Sequence, residues 1–183
     1  MPPKRRIFED DIVAAALEVV RAQGIGSLNA RNIAVVLGSS TQPLFSAFDS
    51  MADLCDAVAT AVSSAFIEHL ERQTQPERIL ISLACAYVDF ALQEPEFFRL
   101  LFLSQHPAGP SFFTIYARNS AIKESIIESA AVGEQQAWDL FFHVMIFSHG
   151  IAALLVNDKK ALSGTPVHGL IQDAIIGFYR LYS

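Results

Sequence analysis

LNARNIAVVLGSSTQPLFSAF, residues 28–48, is the stretch that decides the reading of this chain. It reads as two short helices joined by a tight turn. Asn29 is placed to cap the first, its side-chain oxygen accepting from a free N–H of the first turn. Ala30, Ile33, Ala34 and Leu37 then fall on one helical face. Gly38 ends that helix, since glycine takes the left-handed backbone of a C-cap at little cost. Ser39 and Ser40 fill the turn. Ser40 or Thr41 caps the second helix, and Pro43 fits its first turn, where no N–H is missed. Leu44, Phe45 and Phe48 supply the second helix with an apolar face. Helix, glycine-containing turn and helix make up the helix-turn-helix unit, whose second helix enters the DNA major groove. On spacing alone, an ordinary αα-hairpin in a helical protein remains the alternative.

Upstream, Pro2, Pro3, Lys4, Arg5 and Arg6 form a short basic arm. It is either a solvated terminus or an arm reaching phosphate or the minor groove. Asp10 or Asp11 opens the next helix, in which Ile12, Val13, Ala16, Leu17 and Val20 make one amphipathic face. Gly24 and Gly26 stop it. Downstream, Ser50 is placed to cap a long helix, residues 51–72, with Asp53 in its first turn, where the dipole favours an acid. Its apolar stripe includes Leu54, Val58, Val62, Phe66 and Leu70. This helix is expected to connect a helix-turn-helix domain, residues 1–50, to a second helical domain within residues 51–183. Five more helices are predicted there, near residues 76–93, 96–105, 111–131, 134–157 and 166–182. No window alternates with the period of a strand. The fold class is therefore all-α, with about nine helices in two domains.

Composition narrows the function. Of 183 residues, 52% are apolar and 17% charged, an apolar excess that implies surface covered by a partner or ligand. The net charge of −6 is unlike that of a nucleic-acid binder as a whole, but it is unevenly spread. Residues 1–50 hold five Lys+Arg and five Asp+Glu, so the acidity lies after residue 50. Cys55 and Cys85 sit in apolar helical contexts and read as buried free thiols of a reducing, cytoplasmic compartment. No signal peptide is read at the start, because Glu9, Asp10 and Asp11 stand just after the basic arm, where an apolar run would be needed. The uncharged run over residues 140–157 contains His143, Ser148, His149 and Gly150, too polar for a convincing membrane span. No nucleophile elbow, phosphate-binding glycine loop or metal-spaced cluster is present, so no enzyme, metal or cofactor is expected. His143 and His149, six apart, lie on different faces of one helix. They do not share a metal, and each reads as a core histidine bonded to a carbonyl or as a polar point that orients a ligand.

Residues 38–48 resemble the recognition-helix segment of the TetR family of transcriptional repressors. Residues 12–24 resemble the family's first helix, and Asn29-Ala30-Arg31-Asn32-Ile33-Ala34 its second. The resemblance covers about the first third of the chain closely and the rest in length and helical character. Tyr87-Val88-Asp89-Phe90-Ala91-Leu92, then Glu94-Pro95 and Phe98-Arg99-Leu100, together with His149-Gly150, resemble a subgroup's regulatory domain. That subgroup carries a Trp one turn before its His-Gly pair, where this chain has Met145. The resemblance implies a homodimeric transcriptional regulator, a repressor that binds double-stranded DNA at a near-palindromic operator and is released by a small apolar or amphipathic effector.

Base-edge contacts specify a DNA sequence, and phosphate contacts position the protein. Ser40, Thr41, Gln42 and Ser46 are the recognition-helix residues that can face bases, and a carboxamide such as Gln42 can pair bidentately with adenine. Asn29, Arg31 and the free N–H groups at the start of their helix can reach phosphate, as can Lys4, Arg5 and Arg6. Family members usually carry an aromatic hydroxyl, a second ring and a following lysine in this segment. Here Phe45, Ser46-Ala47 and Asp49-Ser50-Met51 stand instead. Each lost phosphate contact flattens the salt dependence by about 0.9 log units, so weaker, less salt-sensitive binding than the family norm is expected. The alternative is a helical ligand-binding or interaction module of the same fold with weak or lost DNA binding. For ligand sensing, the 14 phenylalanines offer an apolar lining. Phe90, Phe98, Phe102, Phe113, Tyr116, Trp138, Phe142, His143 and His149 are the expected pocket residues. Phe147, Ile151, Leu155, Leu170, Ala174 and Phe178, on the last two helices, are the expected faces of a four-helix dimer interface.

Overall fold

The structure, a computed structural model, describes residues 7–104, 109–111, 114–115, 117, 120–130 and 132–182. These described residues form nine α-helices and no strand. The chain divides into two compact units: residues 1–65 with 96–109, and residues 66–95 with 110–183. The division falls within the long helix α4 (Met51–Gln73).

In the first unit, α1 (Glu9–Gln23) begins with three acids, Glu9, Asp10 and Asp11, at its positive dipole end. The Phe8 N–H donates to the Asp11 carboxylate at 3.0 Å and fixes the entry of the chain. The helix turns Ile12, Ala15, Ala16, Val19 and Val20 inward. α2 (Ala30–Leu37) starts at Asn29, whose Oδ1 accepts from the Asn32 N–H at 3.0 Å. It ends at Gly38, which sits in the left-handed region at φ 62° and lets the chain reverse. α3 (Gln42–Ala47) comes next, with Pro43 in its first turn. Thr41 occupies the cap position but makes no side-chain capping bond. Ile33, Ala34, Leu44 and Phe48 are buried, and α2 and α3 both pack on α1.

Phe45 departs from the expected apolar face: it is 59% exposed. Leu44 and Phe48 are one turn apart and share a side, whereas Phe45 lies about 100° further round. Ser50 caps α4 as its sequence implies, its Oγ accepting from the Asp53 N–H at 3.2 Å and donating to the Asp53 carboxylate at 2.8 Å. The short α6 (Pro95–Phe98) runs into a wider π turn, Arg99–Leu103. The guanidinium of Arg21 lies over the Phe97 ring, 4.8 Å from its centroid.

The second unit is built around α5 (Ile79–Gln93), which buries residues on nearly every side and so reads as a central helix. α7 (Ser120–Ala130), α8 (Glu134–Asn157) and α9 (Val167–Tyr179) surround it. Tyr87 of α5 and His149 of α8 meet in a hydrogen bond, Oη to Nδ1, at 2.9 Å. Phe66 packs edge-on against Tyr87 and Phe90, at 5.7 and 5.1 Å between centroids. His69, also buried, donates from Nε2 to the Ala86 carbonyl at 3.1 Å. His69 is thus a core histidine bonded to a carbonyl, a role that the sequence suggests only for His143 and His149. Among the described residues α8 is the one helix long and apolar enough to cross a membrane. Half of its most apolar window is buried inside the unit, as in a core helix. Cys55 and Cys85 are free thiols, partly exposed rather than fully buried.

These packings set expectations for stability. Leu44→Ala should cost about 2–5 kcal/mol by chemical denaturation, because a buried side chain leaves a cavity. Phe45→Ala should change stability by less than about 0.5 kcal/mol. Burial holds His149 below its ordinary pKa of 6.5. The unfolded chain thus takes up a proton that the folded chain resists, so this stabilisation is complete above that value and is lost as the pH falls through and below it. Urea midpoints measured from pH 7.5 down to pH 5 should fall, and less steeply in His149→Gln.

Candidate functional site

The exposed side of α2 and α3 carries most of the residues expected to meet DNA. Asn29, Arg31, Ser40, Gln42 and Ser46 are exposed, and Thr41 is half-buried. Ser40 and Gln42 share one wall of an open cleft of about 760 Å³ with Gly38, Ser39 and Pro43, opposite the Asp11 and Glu18 side of α1. Ser46 donates back to the Gln42 carbonyl at 3.0 Å, which leaves its oxygen lone pairs outward. Asn29 is more committed than the sequence suggests. Its Oδ1 holds the Asn32 N–H and its Nδ2 donates to the Ser27 carbonyl at 3.1 Å. At this end Arg31 is exposed, and the first-turn N–H groups lie where the helix dipole favours an anion. Lys4, Arg5 and Arg6 lie outside the described residues.

The electrostatics of this surface are unusual for its shape. Residues 7–65 contain two arginines, Arg21 and Arg31, against seven acids. Arg21 is engaged with Phe97. Asp49 is exposed directly after α3, and Val35 and Phe45 add apolar surface, at 74% and 59% exposure. In the described part of the surface, shape and hydrogen-bonding groups dominate over positive charge.

The described residues expected to line an effector pocket fall in both units. Phe98 and Phe102 belong to the first unit and pack on each other at 5.0 Å. Phe90 is buried against Phe66 and His69. Trp138 stacks on Phe141 and Phe142 at 5.8 and 5.6 Å. His149 is bonded to Tyr87, and exposed His143 receives a contact from the Tyr182 hydroxyl at 3.1 Å and faces Phe178. Phe113 and Tyr116 lie outside the described residues.

The second unit instead holds an open cleft of about 380 Å³ with polar walls. It is lined by Gln73, Gln75, Arg78, Ser82, Asp89, His168 and Gln172 among others. His168 Nε2 lies 3.0 Å from Asp89 Oδ1 across 79 positions of sequence. That pairing leaves no local signal in the chain, and the sequence reading missed it.

The last two helices show a related shift. Ile151 and Leu155, expected on a dimer face, are each 4% exposed and pack into the chain's own core. Phe147 and Phe178 meet edge-on within the chain at 6.2 Å, and Leu170 and Ala174 are half-buried. The open apolar surface lies beside them: Phe142, Ile146 and Leu154 on α8, with Gly150 between, and Ile176 and Leu181 at the end of the chain.

Comparison with known proteins fits this arrangement. The family described as "Tetracyclin repressor-like, C-terminal domain" matches residues 80–175, more than half of the chain. No curated protein matches significantly. Among solved structures, the chain is similar to a protein of unknown function from Rhodococcus sp. RHA1. There the TM-score is 0.70 and the identity 24%, over 100% of this chain and 98% of that one. It is also similar to a TetR transcriptional regulator from Streptomyces coelicolor, with TM-score 0.65 and 16% identity over 97% of this chain and 100% of that one. A TetR variant from Acinetobacter baumannii AYE, in complex with minocycline, has TM-score 0.59 and 19% identity over 97% and 99%. The chain therefore belongs to the tetracyclin repressor-like family, and it shares the all-α fold of the TetR regulators above.

Proposed function

We propose that this protein is a homodimeric repressor that binds a near-palindromic operator through α2 and α3 and leaves it when a small amphipathic effector binds the second unit. The observation that carries the reading is α3 itself. The left-handed turn at Gly38 and the buried Leu44 hold a helix whose outer side offers Gln42 and Ser46, with Ser40 exposed in the turn before it. In this reading residues 1–50 bind DNA, and Gln42 reads a base edge while Arg31 and the N-terminus of α2 hold phosphate. The basic arm, Lys4 to Arg6, adds further phosphate contacts. The open apolar stripe of α8 and the end of the chain pair with a second copy around a two-fold axis. Two recognition helices then meet half-sites about one turn of DNA apart. The effector acts by preferring a state of the dimer that does not fit the operator, since a ligand indifferent to both states shifts nothing. Gene regulation rather than catalysis is its role, in the cytoplasm.

A second reading is favoured by the charge on the first unit. With seven acids against two arginines over residues 7–65, the same fold serves as a ligand-binding module with weak DNA affinity. One experiment separates the two: fluorescence anisotropy on DNA from directly upstream of the protein's own gene, at 50–300 mM salt. The repressor reading predicts saturable binding tighter than to random DNA, with a shallow salt slope. Gln42→Ala should weaken it by about 1–3 kcal/mol. Arg31→Ala should weaken all sequences alike and reduce the slope by about 0.9. Binding to this DNA no tighter than to random DNA at micromolar protein supports the module reading.

A further inference from the structure

The cleft of the second unit exists because α5 carries small side chains on the side that faces it. Ser82, Cys85, Ala86 and Asp89 recur at spacings of three and four and so share one face. The end of α4 and its following turn stand on one side, and the first turn of α9, with Gly169, on the other. At about 380 Å³ the space lies within the range of small-ligand sites.

Its polar groups are held in place. Ser82 Oγ accepts from the Gln75 N–H at 2.8 Å and donates to the Arg78 carbonyl at 2.9 Å, which pins the turn carrying Arg78 at the rim. Asp89 holds the imidazole of His168 at 3.0 Å on the opposite wall. Asp89 Oδ1 is taken up by the His168 ring at 3.0 Å, while Arg78 forms no ion pair among the described residues and leaves its guanidinium open to an anion. Burial, with Asp89 adding to it, pushes the Cys85 thiol up to about 11, so the floor formed by Ile81, Cys85 and Ala86 stays uncharged. Pro166, at the start of α9, makes no side-chain capping bond there. A guanidinium at the rim, a held imidazole opposite and a neutral floor between them together suit one class of ligand.

We propose that this cleft binds a small amphipathic organic anion, its carboxylate or phosphate held between Arg78 and His168 and its apolar part on the floor of α5. That anion is also the effector class, an assignment that rests on the regulatory function above. The binding claim stands on the cleft and is tested without DNA.

The test is calorimetric titration and thermal shift on the full chain with hexanoate, benzoate and phenyl phosphate, against hexanamide and benzamide as neutral analogues. At least one anion should bind saturably below 5 mM and raise Tm, with the amides at least about tenfold weaker. Arg78→Gln, at an exposed position, should leave the unliganded Tm unchanged, and Arg78→Gln and His168→Gln should each lower anion affinity about tenfold, roughly 1.4 kcal/mol. The proposal is overturned if no anion binds by 5 mM, if the amides bind equally, or if neither substitution weakens binding. Such a failure would leave operator binding unaffected, and loss of operator binding would leave the titration unaffected. The two claims therefore fail separately.

Discussion

One residue held at positive φ sets the geometry of the first unit. At Gly38 the backbone enters the left-handed region, a conformation that costs a residue with a Cβ on the order of 1 kcal/mol and glycine almost nothing. That turn lets α2 stop after eight residues and α3 begin at Gln42, so that Ile33 and Leu44 are both buried from successive helices. The exposure of Ser40, Gln42 and Ser46 is the other side of the same packing. With Leu44 fixed inward, the positions around it have no core to enter.

A similar economy holds the second unit. α5 is buried nearly all round, so its polar atoms have to find partners inside. Tyr87 takes His149, and the Ala86 carbonyl takes His69. Where α5 carries Ser82, Cys85 and Asp89 it meets solvent, and there the cleft opens. Core and candidate site are thus two sides of one helix, a stable wall that places the polar residues of the rim.

Local signals were legible in the sequence. The Asn29 cap, the Gly38 stop, Pro43 in a first turn and the Ser50–Asp53 start of α4 each depend on residues a few positions apart, and the structure forms all four. Periodicity failed where it had too little or too much to work with. Over the six residues of α3 it could not tell Leu44 from Phe45. Along α8 apolar residues occupy almost every side, so the inward Ile151 and Leu155 could not be told from the outward Ile146 and Leu154. Long-range pairs were illegible for a different reason. Tyr87 with His149 and Asp89 with His168 are separated by 62 and 79 positions, and nothing local marks them as partners. The phenylalanine count suggested an apolar lining, and of those rings Phe66 and Phe90 meet edge-on in the core of the second unit, a pairing that the count could not show.

The measurement that tests the account most directly is selection from a random DNA library by the full-length protein at 100 mM salt, followed by sequencing of the bound fraction. The account predicts one enriched motif with two inverted half-sites about a helical turn apart, absent when Gln42 and Ser46 are both replaced by alanine. A bound fraction with no enriched motif, or an enrichment unchanged by those replacements, would contradict the assignment of α3 as the DNA-reading helix.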